Sequence, residues 1–209
     1  VTASLSDEEY VMKNRIIIAA IAGSLAMFAF ARPAEPPPNP QDTLREVDGK
    51  KEGLEVKRYD NGAVRETINW KSGKRHGQFR SYHKNGRLAS ECEFADGLRE
   101  GVLREYNSSG EIAWEKPYVH DKLHGVRKQW FNDSDETNNP QPIAAETHYE
   151  EGVAHGECVE YWSTGRVSKR GQHDHGEKEG TWTYYRQDGS LSSTVVFHQG
   201  KKVSESKAP

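Results

Sequence analysis

Apolar and polar residues alternate in short runs along most of this chain. One run places Leu88, Ser90, Cys92 and Phe94 at every second position, and matching sets are Val64, Glu66, Ile68, Trp70 and Leu191, Ser193, Val195, Phe197. Ile143, Ala145, Thr147 and Tyr149 repeat the pattern once more. Period two with apolar ends predicts strands that show one face to a core. A shorter run precedes each and carries an aromatic: Tyr82, Tyr106, Trp130, Tyr161 and Tyr185, with Tyr59 displaced by one in the first. With Ile112, Tyr118 and Val167 at corresponding places, the candidate core is Trp70, Tyr82, Leu88, Phe94, Tyr106, Ile112, Tyr118, Trp130, Ile143, Tyr149, Tyr161, Val167, Tyr185, Leu191 and Phe197.

Glycines punctuate these runs in a fixed register. The first of each unit falls at Gly53, Gly77, Gly101, Gly125, Gly156 and Gly180, at steps of 24, 24, 24, 31 and 24 residues. A middle glycine follows at Gly62, Gly86, Gly110, Gly165 and Gly189. A closing glycine stands at Gly73, Gly97, Gly152, Gly176 and Gly200, with Asp121 in that place in the third unit. Such a register is the signature of a repeat architecture. Six units cover 52–203. The fourth lacks its middle glycine and carries about seven extra residues in "NDSDETNNPQP", read as a lengthened hairpin loop over 132–142.

All these glycines are read as repeat turns. "DNG", "KNG" and "QDG" are hairpin signals because glycine accepts positive φ without a Cβ clash. Each unit is then strand, turn, strand, turn. A lone hairpin is not stable in water, so the units must stack. The expected fold is all-β: an elongated single-chain antiparallel meander of about six repeated hairpins. Twelve strands at about 4.8 Å spacing would span roughly 55–60 Å.

Composition sharpens this picture. A hydrophobic content of 33% with 19 glycines argues against a thick two-layer core. Aromatics at 10% argue against wholesale disorder. The formal net charge of -3 gives no nucleic-acid footprint.

The N-terminus reads as an address. Met12-Lys13-Asn14-Arg15 precedes an apolar run from Ile16 to Ala31 that ends in Ala29-Phe30-Ala31. A basic stretch, a short apolar segment and a small-x-small site make a secretory signal peptide. The run is short for a spanning helix, which needs about 20 residues. The eleven residues before Met12 predict that Met12 is the initiator. If they are genuine, the run is a signal anchor with Asp7, Glu8 and Glu9 outside it. Residues 1–31 are thus signal or anchor helix, 32–51 a proline-rich spacer, and 204–209 a disordered tail. The expected location is the periplasm or cell envelope, exported or anchored by a single pass. A lipoprotein is disfavoured, because the first cysteine is Cys92.

The units "HGQFRSYHKNGRLASECEFADG" (76–97) and "EGTWTYYRQDGSLSSTVVFHQGKKV" (179–203) resemble the MORN repeat variant family, as found in bacterial YwqK-type antitoxin-like repeat proteins. The pattern fits 76–118 and 155–203 well, and 52–75 and the looped unit less well. The resemblance implies a β-hairpin array with a binding or scaffold role.

Candidate chemistry is sparse. There is no G-x-S-x-G, H-E-x-x-H or P-loop motif, so neither a catalytic residue nor a cofactor is expected. His76, His124 and His155 each precede a first glycine, where other units carry Glu52, Glu100 and Glu179, which marks a turn-facing repeat position. His173-Asp174-His175 with Glu177 has metal-ligand residue types. Alternation puts neighbours on opposite faces, and His173 stands where other units have Phe or Tyr, so a core substitution running into a turn is expected and no metal. Cys92 and Cys158 lie about five strands apart, roughly 24 Å, too far for a disulfide. Arg80, Arg87, Arg104, Arg127, Lys128, Arg166, Lys169 and Arg170 are interspersed with Glu91, Glu93, Glu105 and Glu160, as in cross-strand ladders of mixed sign. Lys50, Lys51, Lys201 and Lys202 read as protection of two open sheet edges.

The function expected is a non-enzymatic exported or membrane-tethered scaffold for a protein partner. The loop 132–142 is its specificity element. Nucleic acid is not a partner, and membrane contact is confined to 16–31 if that segment is uncleaved. The alternatives are an antitoxin or immunity-like protein neutralising its partner, and an envelope glycan-active protein. The last needs two carboxyl groups about 5–10 Å apart.

Overall fold

Strands and two kinds of corner build the whole of the described chain. A computed structural model describes residues 41–132 and 141–209. The strands are β1 (Arg45–Val47), β2 (Lys50–Arg58), β3 (Val64–Lys71), β4 (Lys74–Tyr82), β5 (Leu88–Ala95), β6 (Leu98–Tyr106), β7 (Ile112–Val119), β8 (Lys122–Leu123), β9 (Gly125–Trp130), β10 (Ile143–Glu150), β11 (Val153–Tyr161), β12 (Val167–Asp174), β13 (Glu177–Tyr185), β14 (Leu191–His198) and β15 (Lys201–Lys207). They form one open antiparallel sheet in chain order, with the two-residue β8 pairing β7 beside β9. The described residues contain no helix, and hence none long and apolar enough to cross a membrane. The signal or anchor helix falls outside the described residues.

One corner type is a two-residue turn with positive φ at both positions, for example Asp96 (50°) and Gly97 (94°). This is the I′ geometry, whose twist matches that of the flanking strands. The other is a three-residue loop closed by the middle glycine. Gly86 N–H donates to His83 O at 2.9 Å and His83 N–H to Arg87 O at 2.8 Å, and the same pair of bonds recurs at Gly62, Gly110, Gly165 and Gly189. Middle and closing glycines are thus turns, as the sequence predicts.

The first glycines are not turns. Gly53, Gly77, Gly101, Gly156 and Gly180 lie inside strands and Gly125 opens one, all with positive φ. Each sits opposite the ring, or ring equivalent, of the following strand: Trp70, Phe94, Tyr118, Tyr149, His173 and Phe197. On the other side the ladder skips. Ile68 pairs Phe79 and Trp70 pairs Arg75, so three residues of β4, Gly77 among them, oppose the single Asn69. These glycines serve bulges, where positive φ excludes most side chains.

A single-layer sheet must cover its rings without a second layer. Here a cation two residues before the glycine lies over the ring opposite it: Lys51 on Trp70 at 4.6 Å, Arg75 on Phe94 at 5.3 Å, Arg99 on Tyr118 at 4.0 Å and Lys178 on Phe197 at 5.0 Å. Each contact is worth about 0.5–1 kcal/mol at an exposed site. Beside this stripe runs the best-buried row. It pairs Ile68 with Phe79, Phe79 with Cys92, Thr147 with Cys158, Cys158 with Gly171 and Trp182 with Val195. Ile68 and Trp182 are each 1% exposed. Both cysteines are free and buried.

Of the expected core only Tyr82 and Leu88 are buried; most of its other members are half-buried, and the buried Ile68, Cys92, Cys158, Trp182 and Val195 lie outside it. Leu191 is 42% exposed, because β15 pairs β14 only from Ser193 onward and leaves Leu191 uncovered. The array is longer at both ends than 52–203. β1 lies in the stretch read as spacer, joined to β2 through Asp48-Gly49, another two-residue turn with both φ positive. β15 runs through Lys207, so "SESK" of the expected disordered tail is an edge strand. Both were invisible to an apolar pattern because backbone pairing alone, with every residue exposed, holds them. Lys50 and Lys51 accordingly lie in β2, covered by β1, while Lys201 and Lys202 do guard an edge.

Candidate functional site

The opposite face of the sheet carries charge in strict alternation. Direct cross-strand partners run Arg80, Glu91, Arg104, Glu115, Lys128 and Glu146. Arg80 lies 3.5 Å from Glu91, Arg104 2.9 Å from Glu115 and Lys128 3.7 Å from Glu146. The tyrosines before the loops join in: Tyr106 donates to Glu91 and Tyr161 to Glu146 at 2.8 Å. Burial, with the charge of Glu91 or the bond to Glu146, pushes both phenols up to about 12. Charges matched in this way neutralise each other along the row.

The recurrent residue before each first glycine has the expected turn-facing role. Glu52, Glu100 and Glu179 accept the backbone N–H of Ser72, His120 and Gln199, at 2.8, 2.9 and 2.8 Å. His76 takes the same place against Asp96, and His124 lies 3.9 Å from Glu151. The string His173-Asp174-His175 divides. His173 packs edge-on against Trp182, ring centroids 5.1 Å apart, as a core ring. Burial, with the nearby Lys178 charge, lowers its pKa. Asp174 and His175 instead meet His155 from β11. Glu177 opens β13.

A concave site forms where the repeat is broken. A cleft of about 550 Å³ is lined by Phe131, Glu160, Tyr161, Trp162, Ser163, Ser168, Lys169, Tyr184, Tyr185 and Ser192. Tyr161, Trp162 and Ser163 come from the end of β11 and its loop, Tyr184 and Tyr185 from the end of β13, and Phe131 from the end of β9. In units one and two the side chain opening the three-residue loop reaches the next unit. Tyr59 donates to Tyr82 O at 2.7 Å, and His83 Nε2 is bonded to Tyr106 O at 2.9 Å. Phe131 and Trp162 hold that position here. Phe131 has no polar tip, and the buried indole Nε1 of Trp162 has no partner. Glu160, the single carboxylate of the lining, is held by Lys169 at 2.9 Å.

This arrangement offers five aromatic rings, three serine and three tyrosine hydroxyls, one neutralised ion pair and one unsatisfied donor. Tyr161 and Tyr185 were singled out as core. Phe131, Trp162 and Tyr184 were not, because the cleft arises from the loop interruption and not from any motif.

Residues 75–96 match the family model of the MORN repeat variant. No curated protein matches the chain. The matched stretch is the β4–β5 hairpin, and its bulge glycine, three-residue loop and closing turn recur along the array. The chain therefore contains a MORN-type repeat within a larger array of hairpins built alike.

Proposed function

We propose that this chain is a non-enzymatic scaffold that binds a protein partner through the aromatic cleft of units four to six. The carrying observation is the coincidence of the broken repeat with that cleft. Tyrosine and tryptophan supply large contact area at low entropic cost and dominate binding hot spots. The donor left unpaired on Trp162 is the kind of group that a bound backbone carbonyl satisfies. Phe131, which lines the cleft, and Gln141, which donates to Phe131 O, flank the inserted residues 133–140 in sequence. We place the protein in the cell envelope on the sequence features of residues 12–31 alone.

The test is co-purification from fractionated cells with C-terminally tagged protein. Trp162→Ala with Tyr185→Ala, and separately a short turn in place of 133–140, should keep the fold and release the partner. Trp70→Ala in unit one should retain it. Equal recovery with all variants contradicts the cleft reading. Uncleaved protein in the cytoplasm, stoichiometrically bound to a toxic protein, would replace export with the antitoxin reading.

A further inference from the structure

The array brings three side-chain positions of every unit together at its closing corner: the residue before the first glycine, the last residue of the second strand, and the first residue of the turn. In unit six these are Glu179, His198 and Gln199, with His198 Nδ1 2.9 Å from Glu179. In unit two they are His76, Ala95 and Asp96. In unit four Glu150 turns instead toward His155, 3.9 Å from its Nε2. Unit five places His155, Asp174 and His175 there. Among the described residues, these form the one group whose three ligand atoms all lie within 4.8 Å of one another.

We propose that this corner holds a transition-metal dication of the zinc, nickel or copper(II) class. Asp174 Oδ1 already lies 3.2 Å from His155 Nδ1 and 2.8 Å from His175 Nδ1. Ligands about 2.0–2.2 Å from a tetrahedral zinc stand about 3.3–3.6 Å apart, so small side-chain rotations complete the set. Two imidazoles select against magnesium and calcium, which take oxygen. The Glu150 carboxylate, 3.9 Å from the other nitrogen of His155, stands one side-chain rotation from the acceptor position that would fix the metal-binding tautomer. The side chains of His155 and His175 are 45% and 88% exposed, so the remaining coordination positions face water. A site with three protein ligands is open rather than closed. The backbone frame exists without the ion, because other units build the same corner without a ligand set. The site is independent of the partner cleft.

The test is zinc titration of the untagged, EDTA-stripped full chain, read by calorimetry and by the thermal unfolding midpoint. The wild type should bind one zinc and unfold at higher temperature with it. His155→Gln and His175→Ala should each weaken binding by at least about tenfold, while leaving the metal-free midpoint unchanged. His76→Gln and His124→Gln should bind as the wild type. Absence of saturable binding, binding that survives both unit-five substitutions, or an equal loss in His76→Gln overturns the site.

Discussion

The indole of Trp182 lies directly on the backbone of Gly171, and a Cβ built on Gly171 would overlap it. Gly171 has no positive φ, so its need for glycine is purely steric. Gly171→Ala should therefore cost about 1–3 kcal/mol by overpacking. Trp182→Ala should cost about 3–5 kcal/mol. The double variant should cost less than the two together, since removing the indole removes the clash. Urea unfolding measures all three, and a neutral Gly171→Ala would contradict the packing. Cys92 adds a pH dependence. Burial raises its thiol from 9.0 to about 11. Between these values the unfolded thiol ionises while the folded one keeps its proton, so stability falls as pH rises through that window. The urea midpoint should drop more between pH 8 and pH 10.5 in the wild type than in Cys92→Ala. Identical drops would show that the thiol makes no contribution.

Strand pairing is where the sequence is most and least readable. The two corner types were legible at Gly86 and Gly97, because each requires positive φ within a few residues of chain. The bulge at Gly77 was not, because it is defined by what stands opposite on β3 and β5. Burial of Trp182 and exposure of Leu191 turn likewise on the neighbouring strand. The corner of His155, Asp174 and His175 joins two strands, and only its last two residues are adjacent in sequence. The mixed charges, by contrast, were visible, and the register now orders them. Glu91 sits between Arg80 and Arg104, directly opposite both. Glu91→Lys would put three cations in one row and also remove the acceptor of Tyr106. It should destabilise by about 1 kcal/mol, with partial recovery on adding Arg80→Glu, which restores an opposite-charge pair and keeps Arg104 on Glu115. No recovery in the double variant would show that the row contributes nothing.

Among the described residues the sheet ends in two edge strands, β1 and β15. β15 is exposed throughout, with Val203 64% exposed, but Lys201, Lys202 and Lys207 line it and oppose pairing with another strand. The charged face is self-neutralised. The cleft of units four to six combines concavity, aromatic area and an unsatisfied donor among the described residues. Amide hydrogen exchange with and without the co-purified partner tests this most directly. The account predicts new protection concentrated in 160–169 and 184–192, with the β2–β5 hairpins unchanged. Protection along 201–207 or across β2–β5, with the cleft segments unaltered, would contradict it.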